Sequence, residues 1–189
     1  AEADCPELLE EMRDLQEKQI LKQTEMIIDS KLFDHLLLGG SGAITLQSPA
    51  LFDKYSLPTI KKVTRMCRQA GLPTMLHSCG KEQHIVRRCA EETDLDCINP
   101  LEVPPMGDCD LADLKARYGR KIALMGNLHT TEVMLRGTVE DVERAARKAI
   151  DDAGKDGGFI LSTGDQCGRD TPVENIWKLV EVCRTYGRY

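Results

Sequence analysis

Thr74-Met75-Leu76-His77-Ser78-Cys79-Gly80 is the stretch on which the fold turns. An apolar run follows Pro73 and ends in a His-x-Cys pair and a glycine. Such a run predicts a short buried strand that breaks at Gly80. Side chains two apart on a strand point the same way, so His77 and Cys79 face one point at its C-terminal mouth. Imidazole nitrogen and thiolate sulfur are preferred ligands of zinc. Two ligands do not hold a metal. The candidate third is Cys167, in Leu161-Ser162-Thr163-Gly164-Asp165-Gln166-Cys167-Gly168, just past another apolar strand, Gly158 to Ser162.

The flanking sequence repeats the same plan. Pro6 to Asp29 predicts a long helix with a discontinuous apolar face. Phe33 to Leu38 predicts a strand with a glycine-rich mouth, Gly39-Gly40-Ser41-Gly42. Ser48-Pro49 reads as N-cap and first residue of a helix that runs to Ala70, broken at Pro58 and ended by Gly71. After the central strand come a helix from Glu82 to Thr93, a strand from Asp96 to Asn99 and a proline-braced loop from Pro100 to Gly107. A helix from Leu111 to Tyr118 and a strand from Lys121 to Met125, ending at Gly126-Asn127, follow. Thr138 caps a helix to Ala153. Phe159 to Ser162 is the last strand. Thr171-Pro172-Val173-Glu174 reads as a capping box opening a helix to about Tyr186.

Strand and helix alternate five times, which predicts an α/β fold of parallel βαβ units. Residues 1–189 read as a single domain, a leading helix over 1–30 and five βα units over 31–189. Polar, glycine-containing stretches follow every strand, so the chemistry belongs at the strands' C-terminal ends. No GxGxxG or P-loop follows any strand, which argues against nucleotide binding by the usual loops.

The totals narrow the function. Of 189 residues, 41% are hydrophobic and 30% charged, a globular composition. A net charge of −6 argues against nucleic-acid binding. No apolar run approaches the ~18 residues of a membrane span, and no signal-peptide pattern is present. Eight cysteines is a high count, but several lie inside predicted helices (Cys67, Cys89, Cys183) and one in a strand (Cys97). They read as small core residues of a cytoplasmic protein.

Four motifs, Leu76-His77-Ser78-Cys79-Gly80, Asn99-Pro100-Leu101-Glu102, Met125-Gly126-Asn127-Leu128 and Cys167-Gly168-Arg169-Asp170-Thr171-Pro172-Val173-Glu174-Asn175, occur in this order and spacing. In that order they resemble the C-terminal half of the uroporphyrinogen decarboxylase superfamily, from about Phe33 on. The resemblance implies a (β/α)8 barrel of the TIM type, here a partial barrel of about five parallel strands with surrounding helices, matching the family's last five. A full barrel takes at least roughly 200 residues. An open parallel sheet leaves apolar edges bare, so the expectation is that another copy, or an N-terminal half, completes the barrel.

Within the superfamily the His-x-Cys and later Cys pattern resembles that of the zinc-dependent corrinoid methyltransferases. It implies Zn2+ on His77, Cys79 and Cys167, a small-molecule thiol as acceptor, and methylcobalamin, carried by a separate corrinoid protein, as methyl carrier. Two alternatives stand beside it: a uroporphyrinogen decarboxylase-like enzyme acting on a tetrapyrrole, and a non-catalytic half-barrel.

Glu102 and Asn127 are the candidate catalytic residues. Glu102 reads as a displaceable fourth ligand or a support for the ligands, against the plainer reading of a solvated loop carboxylate. Gly39, Gly40, Ser41, His129, Asp165 and Arg169 are candidate substrate contacts. Each has a structural alternative: a plain turn for the Gly39–Ser41 segment, a helix entry for His129, a turn residue for Asp165, a surface pair with Asp170 for Arg169. Gln166 flanks Cys167 in the same way as Asp165. His35 and His84 lack ligand-spaced neighbours and read as structural.

Overall fold

The computed structural model describes residues 4–40 and 42–187; Ser41 lies outside them, so its proposed contact has no structural description. The chain opens with α1 (Pro6–Ser30), whose end at Lys31 adopts a left-handed conformation. Then come β1 (Leu36–Gly39), the short helices α2 (Ala43–Leu46) and α3 (Pro49–Leu51), a π-helical turn (Phe52–Ser56) and α4 (Leu57–Ala70). The central strand β2 spans Thr74–His77 and α5 spans Gln83–Glu92. They lead to β3 (Cys97–Asn99), α6 (Leu111–Tyr118), β4 (Ala123–Leu128) and a second π-helical turn (Thr130–Leu135). α7 (Val139–Ala153), β5 (Phe159–Thr163) and α8 (Val173–Thr185) complete the order.

The five strands form one parallel sheet in sequence order, β1-β2-β3-β4-β5. The alternation of the strands explains its two faces. Leu76, Ile98, Leu124 and Leu128 turn outward and are buried under the helices, in a core with Val86, Cys89, Leu114, Val142 and Ala146. Met75, His77, Cys97, Asn99 and Met125 turn to the opposite, concave face and keep part of their surface. That face carries no covering layer among the described residues: Leu37 is 56% exposed and Ile160 48%. β1 and β5 are the open edges.

Local chemistry sets the boundaries. Ser48 Oγ accepts from the Leu51 amide, capping α3 as the Ser-Pro pair predicts. The predicted break near Pro58 is the π-helical turn just before it, and Gly71 ends α4 with φ 73°. Thr138 and Asp141 form a reciprocal capping box on α7. The second expected box does not form. α8 starts at Val173 with Pro172 as its N-cap and no side-chain cap. Thr171 therefore lies one position too early, and its buried Oγ1 has no partner among the described residues. β4 also differs from expectation. It starts two residues later than Lys121 and runs through Gly126 and Asn127, which pair with Leu161 and Ser162.

Candidate functional site

The site lies where the C-terminal ends of β2, β3, β4 and β5 meet. Asp96 anchors the start of β2: its Oδ2 accepts from the Thr74 amide at 2.8 Å and from Thr74 Oγ1 at 3.1 Å. At the far end the Ser78 amide donates to the Asn99 carbonyl at 2.8 Å, so the ladder continues one residue past His77. Gly80 follows with φ 89°, a left-handed turn that glycine enters at little cost. Cys79 is thereby held beside His77. The β5 loop brings Asp165 to the same place, shaped by the Thr163 hydroxyl donating to the Asp165 carbonyl at 2.9 Å.

Ligand atoms of His77, Cys79 and Asp165 all lie within 4.8 Å of one another, and the three residues are half-buried. His77 Nε2 is 3.8 Å from Asp165 Oδ1. Cys167 does not join this cluster. It sits two residues farther along, partly buried and packed against the apolar core. Where its sulfur was expected, the carboxylate of Asp165, on the turn after Gly164, stands beside His77 and Cys79 instead.

Glu102 is brought in by the loop after β3. It is only 6% exposed, so it is not a solvated loop carboxylate. Its Oε2 accepts from the Gly80 amide at 2.6 Å. With Val103, Met106, Asn127, His129 and Gly164 it lines a narrow crevice. Asn127 is buried, and its Nδ2 donates to the Leu101 carbonyl at 3.0 Å. It braces the Glu102 loop from β4. His129 caps the second π-helical turn: its Nδ1 accepts from the amides of Thr131 and Glu132, both at 3.2 Å. Arg169 pairs with Asp170 at 3.1 Å and its side chain is 92% exposed, so it lies out in solvent. Gly39 and Gly40 stand beside β2 at the edge; an added Cβ would meet nothing within 4 Å at Gly39 and the His77 carbonyl at 3.7 Å at Gly40. His84 is tied to Asp53 at 2.9 Å, in keeping with a structural role.

Two supports escaped the sequence. A Cβ on Gly107 would fall 2.2 Å from the Glu102 carbonyl and 2.5 Å from the Gly80 carbonyl, so the two loops close over a bare glycine backbone. Glu82 is fully buried, its Oε2 accepting from the Leu101 amide at 2.8 Å. Burial, with the nearby carboxylates of Glu102 and Asp108 adding to it, holds the Glu82 carboxyl well above its ordinary pKa; the Leu101 hydrogen bond opposes the shift. Asp108 caps α5 from outside, its Oδ1 accepting from the amides of Glu82 and Gln83. No residue pattern signals Glu82, which sequence places in an ordinary first turn. The other thiols suit a packing role: burial pushes Cys97 up to about 11 and Cys89 up to about 12.

The model of the uroporphyrinogen decarboxylase (URO-D) family matches residues 31–186. Relatives include the methylcobamide:CoM methyltransferase MtbA of Methanosarcina mazei, 30% identical over 137 residues, 71% of this chain and 37% of that protein. They also include uroporphyrinogen decarboxylase 2, chloroplastic, of Arabidopsis thaliana, 27% identical over 139 residues, 72% of this chain and 33% of that protein. This chain thus spans about a third of the length of the curated relatives it matches. A solved methyltransferase from Methanosarcina mazei has the same fold, with a TM-score of 0.67 at 20% identity over 82% of this chain and 43% of that one. Five parallel strands in sequence order, a helix layer on one face and polar loops at the C-terminal ends are the last part of a (β/α) barrel, and with the family match across 31–186 the chain belongs to the uroporphyrinogen decarboxylase family.

Proposed function

We propose that this chain carries the zinc site of a methyltransferase that moves a methyl group between a corrinoid and a zinc-activated thiol. The observation that supports this most is the convergence of His77, Cys79 and Asp165 within 4.8 Å at the strand ends. Imidazole, thiolate and carboxylate are a donor set that zinc accepts, and three protein ligands leave a position open. His77 and Cys79 supply two donors. The third comes from the β5 loop, where Asp165 stands close and Cys167 lies two residues on, reached by a turn of the loop between Gly164 and Gly168.

When bound, zinc would deprotonate a substrate thiol and hold it as a thiolate nucleophile at neutral pH. The chain's own residues prepare the place. The Gly80 amide fixes Glu102 through Oε2, which leaves Oε1, on the Gly164 side, without a protein donor among the described residues. With the metal bound, that oxygen would be available to receive the proton of an incoming thiol or to help hold the ion until the thiol binds. Asn127 and Glu82 hold the loop that carries Glu102, through the carbonyl and the amide of Leu101. Leu101 itself is fully buried, which keeps water from beneath the site.

The acceptor is a small-molecule thiol and the methyl donor a corrinoid on a partner protein in the cytoplasm; the kinship to MtbA, a methylcobamide:CoM methyltransferase, and to a methylated-thiol–coenzyme M methyltransferase of Methanosarcina mazei, 24% identical over 144 residues, supports this reading. The open concave face and the bare edges β1 and β5 call for a complementary N-terminal half or a second copy over them. Tetrapyrrole decarboxylation is the alternative. It requires cations around a substrate rich in carboxylates, and the crevice beside Glu102 has no Lys or Arg among its described lining residues. No helix among the described residues is long and apolar enough to cross a membrane.

Metal analysis of the purified chain by mass spectrometry tests the reading. One zinc per chain is expected, lost in His77→Ala. Loss in Cys167→Ala gives the third position to sulfur; retention there with loss in Asp165→Ala gives it to the carboxylate. A wild-type chain that takes up no zinc overturns the reading.

A further inference from the structure

We infer that Asn99 is a positioning residue for His77: its amide oxygen receives the imidazole Nδ1–H and so presents Nε2 to the metal. This rests on the zinc reading above and gives a role to Asn99, the first residue of the Asn99-Pro100-Leu101-Glu102 motif, which lies outside the ligand cluster. Three observations carry it.

The first is register. His77 and Asn99 are paired across the β2–β3 ladder. Their strand neighbours Leu76 and Ile98 are buried beneath the helices, so both side chains stand on the concave face, one strand apart. The second is an unsatisfied acceptor. Asn99 Oδ1 is buried and has no hydrogen-bond partner among the described residues. A buried carbonyl oxygen without a donor is unfavourable, and native structures rarely leave one so. The third is the orientation of the amide. Asn99 Nδ2 faces the Met125 sulfur on β4 at 3.9 Å. A thioether only accepts, so the end that faces it must be the NH2 group. Oδ1 is then the end turned away from β4.

His77 has the matching vacancy. Its Nε2 looks toward Asp165, and the ring makes no hydrogen bond within 3.5 Å to any described residue. A neutral imidazole that ligates through Nε2 must carry its proton on Nδ1. Metal-binding histidines nearly always give that proton to a carboxylate, a carbonyl or water, which fixes tautomer and ring plane and raises basicity. Asn99 Oδ1 is the buried acceptor at the neighbouring register position. The pairing of His77 with Asn99 across the ladder places that acceptor on the strand next to the imidazole.

The test uses the 189-residue chain, zinc titration by competition with a chromophoric chelator, and nitrogen-15 NMR of the histidine tautomers. In the wild-type zinc form, His77 is expected to show Nε2 on the metal and an Nδ1 proton that exchanges slowly with water. A fast-exchanging Nδ1 proton overturns the inference without any variant. Asn99→Leu, close in shape and without an acceptor, is expected to weaken zinc binding by about 10–100-fold. Asn99→Asp is expected to restore it, since a carboxylate accepts the same proton. Equal zinc affinity in wild type and Asn99→Leu, whatever the change in melting temperature of the metal-free chain, removes Asn99 from this role while leaving the zinc reading intact. A wild-type chain without zinc overturns both.

Discussion

The same five strands present two faces of opposite character. On the outer face Leu76, Ile98 and Leu124 are sealed under α4 to α7; on the inner face Leu37 and Ile160 lie about half exposed, around His77, Asn99 and Asn127. A period of two assigns alternate residues to cohesion and to chemistry. The outer face needs only volume and apolarity. The inner face holds the polar groups, and its bare apolar residues, Leu37 and Ile160, lie on the side that faces the interior in a closed barrel. The difference has a measurable size. Ile98→Ala empties a fully buried position and should cost about 2–5 kcal/mol in urea unfolding, while Ile160→Ala should cost under about 1 kcal/mol. An equal cost at the two positions would mean that Ile160 is packed in solution by another chain, and a concentration-dependent midpoint would identify that case.

Between the faces lies Glu82, an acid on the sealed side. Its folded carboxyl keeps a proton that the unfolded chain gives up near the ordinary pKa of 4.5. Above that pH the folded state binds more protons than the unfolded state, so stability falls as pH rises, until the folded carboxyl itself ionises. The slope from this group is at most about 1.4 kcal/mol per pH unit. Glu82→Gln keeps an acceptor for the Leu101 amide and does not titrate. Urea midpoints from pH 5 to pH 8 should show wild type losing ground to the variant with rising pH. A constant difference between the two would mean that Glu82 is ionised and solvated, and that the sealed side leaks.

Glycine sharpens the contrast at closer range. Gly107 lies under the carbonyls of Glu102 and Gly80, at 2.2 and 2.5 Å from where a Cβ would sit, and carbonyl backbone does not yield as a side-chain end does. Gly107→Ala should cost about 1–3 kcal/mol by overpacking and shift Glu102 away from the His77–Cys79 pair. Weakened zinc binding together with a lowered urea midpoint is the expected result. Full zinc affinity would show that Glu102 is not held by this loop closure.

Which of these features could be read from the chain follows from their range. β2 was legible to the residue, because Pro73 and Gly80 bracket an apolar run and both signals are local. The five-fold alternation and the caps at Ser48 and Thr138 were legible for the same reason. The Thr171 box misled: Thr-Pro-Val-Glu satisfies the pattern, but Pro172 takes an extended ψ of 129°, so it becomes the N-cap and the helix starts one residue on. At the strand ends, the nearness of His77 and Cys79 was legible from the His-x-Cys pair at the mouth of β2. Asp165 against Cys167 was not, because both lie in one loop and only the turn at Gly164 decides which faces His77. Glu82 and Gly107 matter through burial and backbone approach, and the part proposed for Asn99 rests on register, none of which leaves a mark in residue type.

Gly39 provides the smallest effect and the sharpest test of the inner rim. It ends the edge strand β1, paired with His77, and an added Cβ would meet nothing within 4 Å. Its φ is not positive, so alanine fits the backbone without strain. Alanine also has fewer unfolded conformations to lose, and such substitutions stabilise by about 0.4–1 kcal/mol where the native geometry allows them. Gly39→Ala should therefore raise the urea midpoint slightly and leave zinc affinity unchanged, in contrast to Gly107→Ala. If zinc affinity holds but thiol binding, followed as a shift in the spectrum of the cobalt-substituted chain, is lost in Gly39→Ala, then the bare backbone at this rim serves a ligand rather than the fold. The two glycines would then differ in what approaches them: at Gly107 the protein's own carbonyls, at Gly39 a substrate that comes in from the open face.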